Sequence, residues 1–185
     1  MQTSDTRRRP AVRGRRALLA LAAVLALTAI GGAAVALANR DTSALAVAKE
    51  ASAPYRNVAV AERAGYSELT DAKKIACIQM PGVGGMGVHY VNGTLVGDAT
   101  IDPRKPEALV YQPTAKGLHL VALEYIVFAA KWKQAAPPEL FGRTFDYTPR
   151  GNRFGLPAFW ALHAWVWKPN PTGTVMAWNP TVTCR

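Results

Sequence analysis

The chain has 185 residues, 50% of them hydrophobic, with 22 Lys and Arg against 12 Asp and Glu and a formal net charge of +10. Six of the basic residues and one of the acidic residues precede residue 39, which leaves 16 basic and 11 acidic residues without a clustered stripe. This spread excludes the concentrated basic footprint of a nucleic-acid-binding domain. It suits a soluble domain or a loose association with acidic surfaces.

The first element in the chain is a leader. Arg7, Arg8, Arg9, Arg13, Arg15 and Arg16 precede an uncharged run over 17–38 that ends in Ala-Leu-Ala. A basic head, an apolar middle and a small-x-small end form the layout of a secretory signal peptide. The run is also long enough for an N-terminal membrane anchor. Either reading places the remainder outside the cytoplasm, because the basic head stays inside. The expected location is secreted or extracytoplasmic, with membrane contact only if the leader is retained. Residues 39–53 are alanine-rich and read as a linker merging into a helix. Residues 54–185 read as a single extracytoplasmic domain of ordinary size.

The segment `APYRNVAVAERAGY` predicts a helix, with Pro54 at a first-turn position and a stop at Gly65. Cys77 follows, and its only possible partner within the chain is Cys184. Two cysteines without a C-x-x-C motif, in an oxidising compartment, predict a disulfide. The glycine-rich `PGVGGMG` lacks the lysine and spacing of a phosphate loop. Beyond it, `VHYV`, `ALVYQP`, `LHLVALEYIVF`, `PAFWALHAWVW` and `TVMAW` read as strands. Asn92-Gly93 and the Asn-Pro pairs read as turns. The expected fold class is α+β: an N-terminal helix followed by a mainly antiparallel β-sheet, with closure into a barrel left open.

Polar residues in apolar strands mark the candidate site. Strict alternation puts Glu124 on one face with Leu118, Leu120, Ala122 and Ile126. A carboxylate buried there needs a metal, a cation, hydrogen bonds or its own proton. His163 shares a face with Phe159, Ala161, Trp165 and Trp167, and His89 follows the glycines in a β-prone run. His89, Glu124 and His163 form a two-histidine, one-carboxylate set suited to zinc or non-haem iron. The competing reading is a closed polar network in which the histidines hydrogen-bond to Glu124. His119, on the opposite strand face, reads as an isolated histidine. Tyr90, Tyr125, Trp160, Trp165, Trp167 and Trp178 are candidates to line a pocket, or to form the core of a small domain. Ser67 is the only serine after residue 53, so a serine nucleophile is not expected.

Taken in order, `GGMGVHYVN`, `LEY`, `LHAWVWKPNPTG` and `WNPTVTC` resemble a family of small exported bacterial proteins, largely actinobacterial and proteobacterial. The resemblance implies export and one domain that holds His89, Glu124, Tyr125, His163 and Cys184 together. It implies no activity, substrate or cofactor. The sequence thus points to an exported binding or structural domain with a buried His/Glu cluster, whose partner is a small molecule or a cell-envelope component. The alternative is a metal-dependent enzyme built on the same three residues.

Overall fold

A computed structural model describes residues 36–184. Most of the expected leader, and with it the choice between signal and anchor, lies outside the described residues. Among the described residues, no helix is long and apolar enough to cross a membrane. Residues from Arg40 onward form one compact unit.

The stretch expected as a linker is helical through residue 52, and we label the helix over 36–52 α1. Its alanines favour helix intrinsically. Ala44, Ala48 and Ser52 recur at a four-residue spacing, and Ala48 and Ser52 are fully buried. A 3-10 turn, Ala53–Arg56, takes Pro54 in its first turn. Helix α2, Val58–Arg63, is capped by Asn57, whose side chain accepts from the Ala59 N–H.

The expected α+β arrangement is present. The main sheet is antiparallel and has seven strands: β1 (Ser67–Glu68), β2 (Cys77–Met80), β3 (Gly84–Val91), β4 (Ala108–Thr114), β5 (Gly117–Phe128), β8 (Asp146–Thr148) and β9 (Phe159–Ala164). Its order is β1-β3-β4-β5-β9-β8, with β2 also paired to β3. The sheet is open rather than a closed barrel. Strands β6 (Glu139–Leu140) and β7 (Arg143–Thr144) make a separate hairpin, and α3 (Gly93–Asp98) follows β3.

Alternation divides the sheet into two unlike faces. Tyr90, Leu109, Tyr111, Leu123, Tyr125 and Leu162 pack with Ala48 and Ala61 under the helices. Three buried tyrosines on this side find carbonyl acceptors: Tyr66 donates to Pro106 O, Tyr111 to Tyr55 O and Tyr125 to Pro103 O. The opposite face carries His89, Val110, Ala122, Glu124, Ala161 and His163.

Regular alternation fails at one point in β5. Val110 pairs with Ala122 while Tyr111 pairs with Leu120, so Val121 is an extra residue, a β-bulge. Leu120 therefore packs under the helices, as Leu118 does. The expected grouping of Leu118 and Leu120 with Glu124 is corrected by this bulge. Ala122 and Ile126 remain on the Glu124 side.

The glycines before His89 have a packing role. Asn179 and Gly85 form an isolated antiparallel bridge, and a Cβ on Gly84 would overlap the Asn179 carbonyl. Gly87, at φ +110°, would place a Cβ 2.5 Å from Tyr111 O. The C-terminal segment expected as the strand `TVMAW` is irregular apart from that bridge. Its Asn-Pro turns do form: Asn170 and Asn179 each accept the N–H of the threonine two residues on.

The expected Cys77–Cys184 disulfide is formed, with the two Cα atoms 5.6 Å apart across 107 residues of sequence. Closing a loop of about 100 residues is worth up to about 4.7 kcal/mol in the chain-entropy account. Cys184→Ser is expected to lower the free energy of urea denaturation by about 3–5 kcal/mol. The oxidised parent should weigh two hydrogens less than its reduced form. Equal denaturation midpoints with and without reductant would contradict this contribution.

Candidate functional site

Glu124 and His163 are direct cross-strand partners on β5 and β9. His89 sits on β3, two strands from Glu124, and the strand between them places only Ala108 opposite Glu124. In a flat sheet β3 and β9 would lie about 14 Å apart. The sheet curls toward this face, and the two Nε2 atoms come within 3.3 Å.

The structure therefore brings together the three residues singled out in the sequence, and their ligand atoms all lie within 4.8 Å of one another. His89 Nε2 is 3.5 Å from Glu124 Oε2, and His163 Nδ1 is 3.6 Å from Glu124 Oε1. All three side chains are buried. Trp165 stacks on His163 with the rings 17° from parallel. His119 is exposed on another part of β5.

The rings of His89 and His163 are within hydrogen-bond reach of each other, Nε2 to Nε2. The two His–Glu gaps are longer than ordinary N–H···O bonds, which run from about 2.7 to 3.2 Å. Two donors each about 2.1 Å from a tetrahedral metal lie about 3.4 Å apart. The 3.3 Å and 3.5 Å gaps around His89 Nε2 match that edge. The second ring nitrogen, Nδ1, is buried with no hydrogen-bond partner among the described residues. Such a group costs about 1–3 kcal/mol, and it stays unpartnered whether or not Nε2 holds a metal.

Burial sets the protonation states. It is the main cause that lowers His89 to about 4, with the Arg153 guanidinium second. It also lowers His163, with His89 adding to the effect. The Glu124 carboxyl is pushed up to about 8 by burial first and by Glu107 second. Burial thus favours the neutral form of each of the three groups, against the charge that a His–Glu ion pair would induce. Neutral imidazoles offer the lone pairs that a metal takes. A divalent cation would also recover the carboxylate form of Glu124.

The cluster opens into a cavity of about 480 Å³. Its walls are mainly hydrocarbon and aromatic, from Ile78, Met86, Ile126, Phe128, Phe154 and Trp178 among others. Trp178 is thus placed as expected, and five candidate lining residues are not. Tyr90 and Tyr125 face the helices by alternation, and so does Trp160, which also contacts Tyr147. Trp165 is buried behind His163, its indole N–H donating to Met176 O. Strand β9 ends at Ala164, which turns Trp167 to the helix side, where it donates to Ser52 Oγ.

Sequence reasoning missed Arg153, Asp71 and Glu107. Arg153 lines the cavity and is held by buried Asp71 at 2.7 Å. Asp71 in turn accepts the N–H groups of Lys73 and Ile75. Buried Glu107 accepts the Ile126 N–H, and burial raises its carboxyl to about 8. Glu107, the last residue before β4, could have been flagged by the apolar run it precedes. The Asp71–Arg153 pair spans 82 residues and left no local signal. Comparison with family models, curated proteins and solved structures found no match.

The raised carboxyls and lowered histidines give the metal-free protein a defined pH response. Between about pH 4.5 and 6.5 the histidines favour folding as pH rises and the carboxylates oppose it. Above 6.5 the carboxylates act alone: the unfolded chain has lost protons that the folded chain still holds. Stability is therefore expected to fall from pH 6.5 to about 8. Glu124→Gln should reduce that slope by about half, leaving the share of Glu107. Urea denaturation of chelator-treated protein at several pH values in this window measures it, and equal slopes in parent and variant would count against the assignment.

Proposed function

We propose that the protein is an exported small-molecule-binding domain with a divalent metal centre on His89, Glu124 and His163 at the wall of its pocket. The observation that carries this reading is the convergence of His89, Glu124 and His163, three buried residues whose ligand atoms lie within 4.8 Å of one another beside the cavity. Three protein ligands with a fourth position toward a cavity are the arrangement of an open zinc site. Two histidines and one carboxylate equally suit non-haem iron. The basic, apolar leader and the disulfide support export, and the resemblance to small exported bacterial proteins agrees with it. The dispersed positive charge supports a partner other than nucleic acid, either the pocket's ligand or a component of the cell envelope.

An enzyme built on the same centre is the second reading, favoured by the cavity beside the open coordination position. It would need a group free to move protons or hold a substrate near the metal. Among the described lining residues, Asp146 is paired with Arg143 at 3.1 Å. The Asn152 amide is spent on Pro149, Phe154 and Leu156. These commitments favour binding over catalysis.

Elemental analysis of protein purified without a histidine tag should find about one zinc or iron per chain. Glu124→Gln, His89→Ala and His163→Ala should each weaken metal affinity by more than about 100-fold, since even outer-shell losses cost 10–100-fold. Circular dichroism would establish that the variants remain folded. Metal content that is low in the parent, unchanged in all three variants and not restored by added zinc or iron would reject the centre.

A further inference from the structure

Charge balance in the pocket narrows what the metal centre would hold. A divalent ion with two neutral histidines and one carboxylate leaves one positive charge uncompensated. The remaining charged side chains on the cavity wall do not cancel it. Arg153 is matched by Asp71 at 2.7 Å, and Asp146 by Arg143 at 3.1 Å. An unbalanced charge in an apolar enclosure is costly, and one negative ligand removes the imbalance.

The wall specifies the rest of that ligand. Ile126, Phe128, Phe159 and Ala161 line the cavity on the ligand-bearing strands, with Phe154 and Trp178 among the residues contributed by loops. A volume of about 480 Å³ lies within the range of pockets that enclose small organic molecules, about 300–1,000 Å³. Hydroxide would balance the charge and leave this apolar volume without a partner. An apolar molecule that ends in one carboxylate satisfies both constraints.

Resting on the metal reading above, we propose that the pocket binds an apolar monocarboxylate, its carboxylate on the metal held by His89, Glu124 and His163 and its hydrocarbon body against the aromatic wall. The anion supplies the missing charge, and the body displaces water from the cavity.

The test uses octanoate and octanol, which share a chain and differ in charge. Calorimetric titrations are run on the exported protein in zinc-loaded and chelator-stripped forms, with metal content measured on the same samples. Zinc-loaded protein should bind octanoate at least about tenfold more tightly than octanol, and stripping should remove that preference. In cobalt-substituted protein, octanoate should shift the visible absorption bands and octanol should not. Equal binding of the acid and the alcohol by metal-loaded protein would overturn the ligand assignment and leave the metal centre intact. Octanoate binding without a change in the cobalt spectrum would overturn coordination by the carboxylate. Protein that takes up no metal would overturn both readings, and the metal assay reports that outcome separately.

Discussion

The burial of Glu124 is the constraint on which the rest of the site depends. An ionised carboxylate on an apolar sheet face is unstable alone. The fold answers by placing two imidazoles around it, with no cationic side chain in direct contact among the described residues. Burial favours the neutral form of all three groups, so the trio does not hold itself together by charge. What keeps it in place is the backbone: the cross-strand pairing of Glu124 with His163, and the curl that carries His89 over β4. The geometry is thus imposed by the sheet, and it is available to a cation without rearrangement of the strands.

The two faces of the sheet divide the work. Under the helices, the hydroxyls of Tyr66, Tyr111 and Tyr125 are committed to backbone carbonyls, which ties the loop at Pro103 and Pro106 to that side. The other side is covered by the loop around Arg153, the segment near Trp178 and α3, whose Gly93 and Val96 line the cavity. That loop is tied down by backbone as well as charge, since Ala72 N–H donates to Arg153 O. A cavity survives because these elements span the face without filling it.

Much of this was legible in the sequence, for identifiable reasons. Glu124 and His163 could be found because polar residues interrupt apolar strands, and a strand pattern reports faces directly. The pairing of Cys77 with Cys184 followed from there being two cysteines. The bulge at Val121 was not legible, because it depends on how β4 pairs with β5 and on what its carbonyl can reach. Val121 O accepts the Trp167 and Lys168 N–H groups, a contact set by tertiary structure. The same applies to the end of β9, whose continuation would have kept Trp165 and Trp167 on one face. Helix α1 was partly hidden because an alanine-rich run serves equally well as a spacer. The role of the glycines before His89 depended on a segment about ninety residues later in the chain.

The disulfide has a consequence for the timing of maturation. Ala177 and Trp178 line the cavity, and the segment that carries them is clamped through Cys184 to Cys77, beside the lining residues Ile78 and Met80. The bond forms only where thiols oxidise, so in a reduced chain this wall stands without its covalent tie to β2. The tie is added to the cavity only once the chain meets an oxidising compartment.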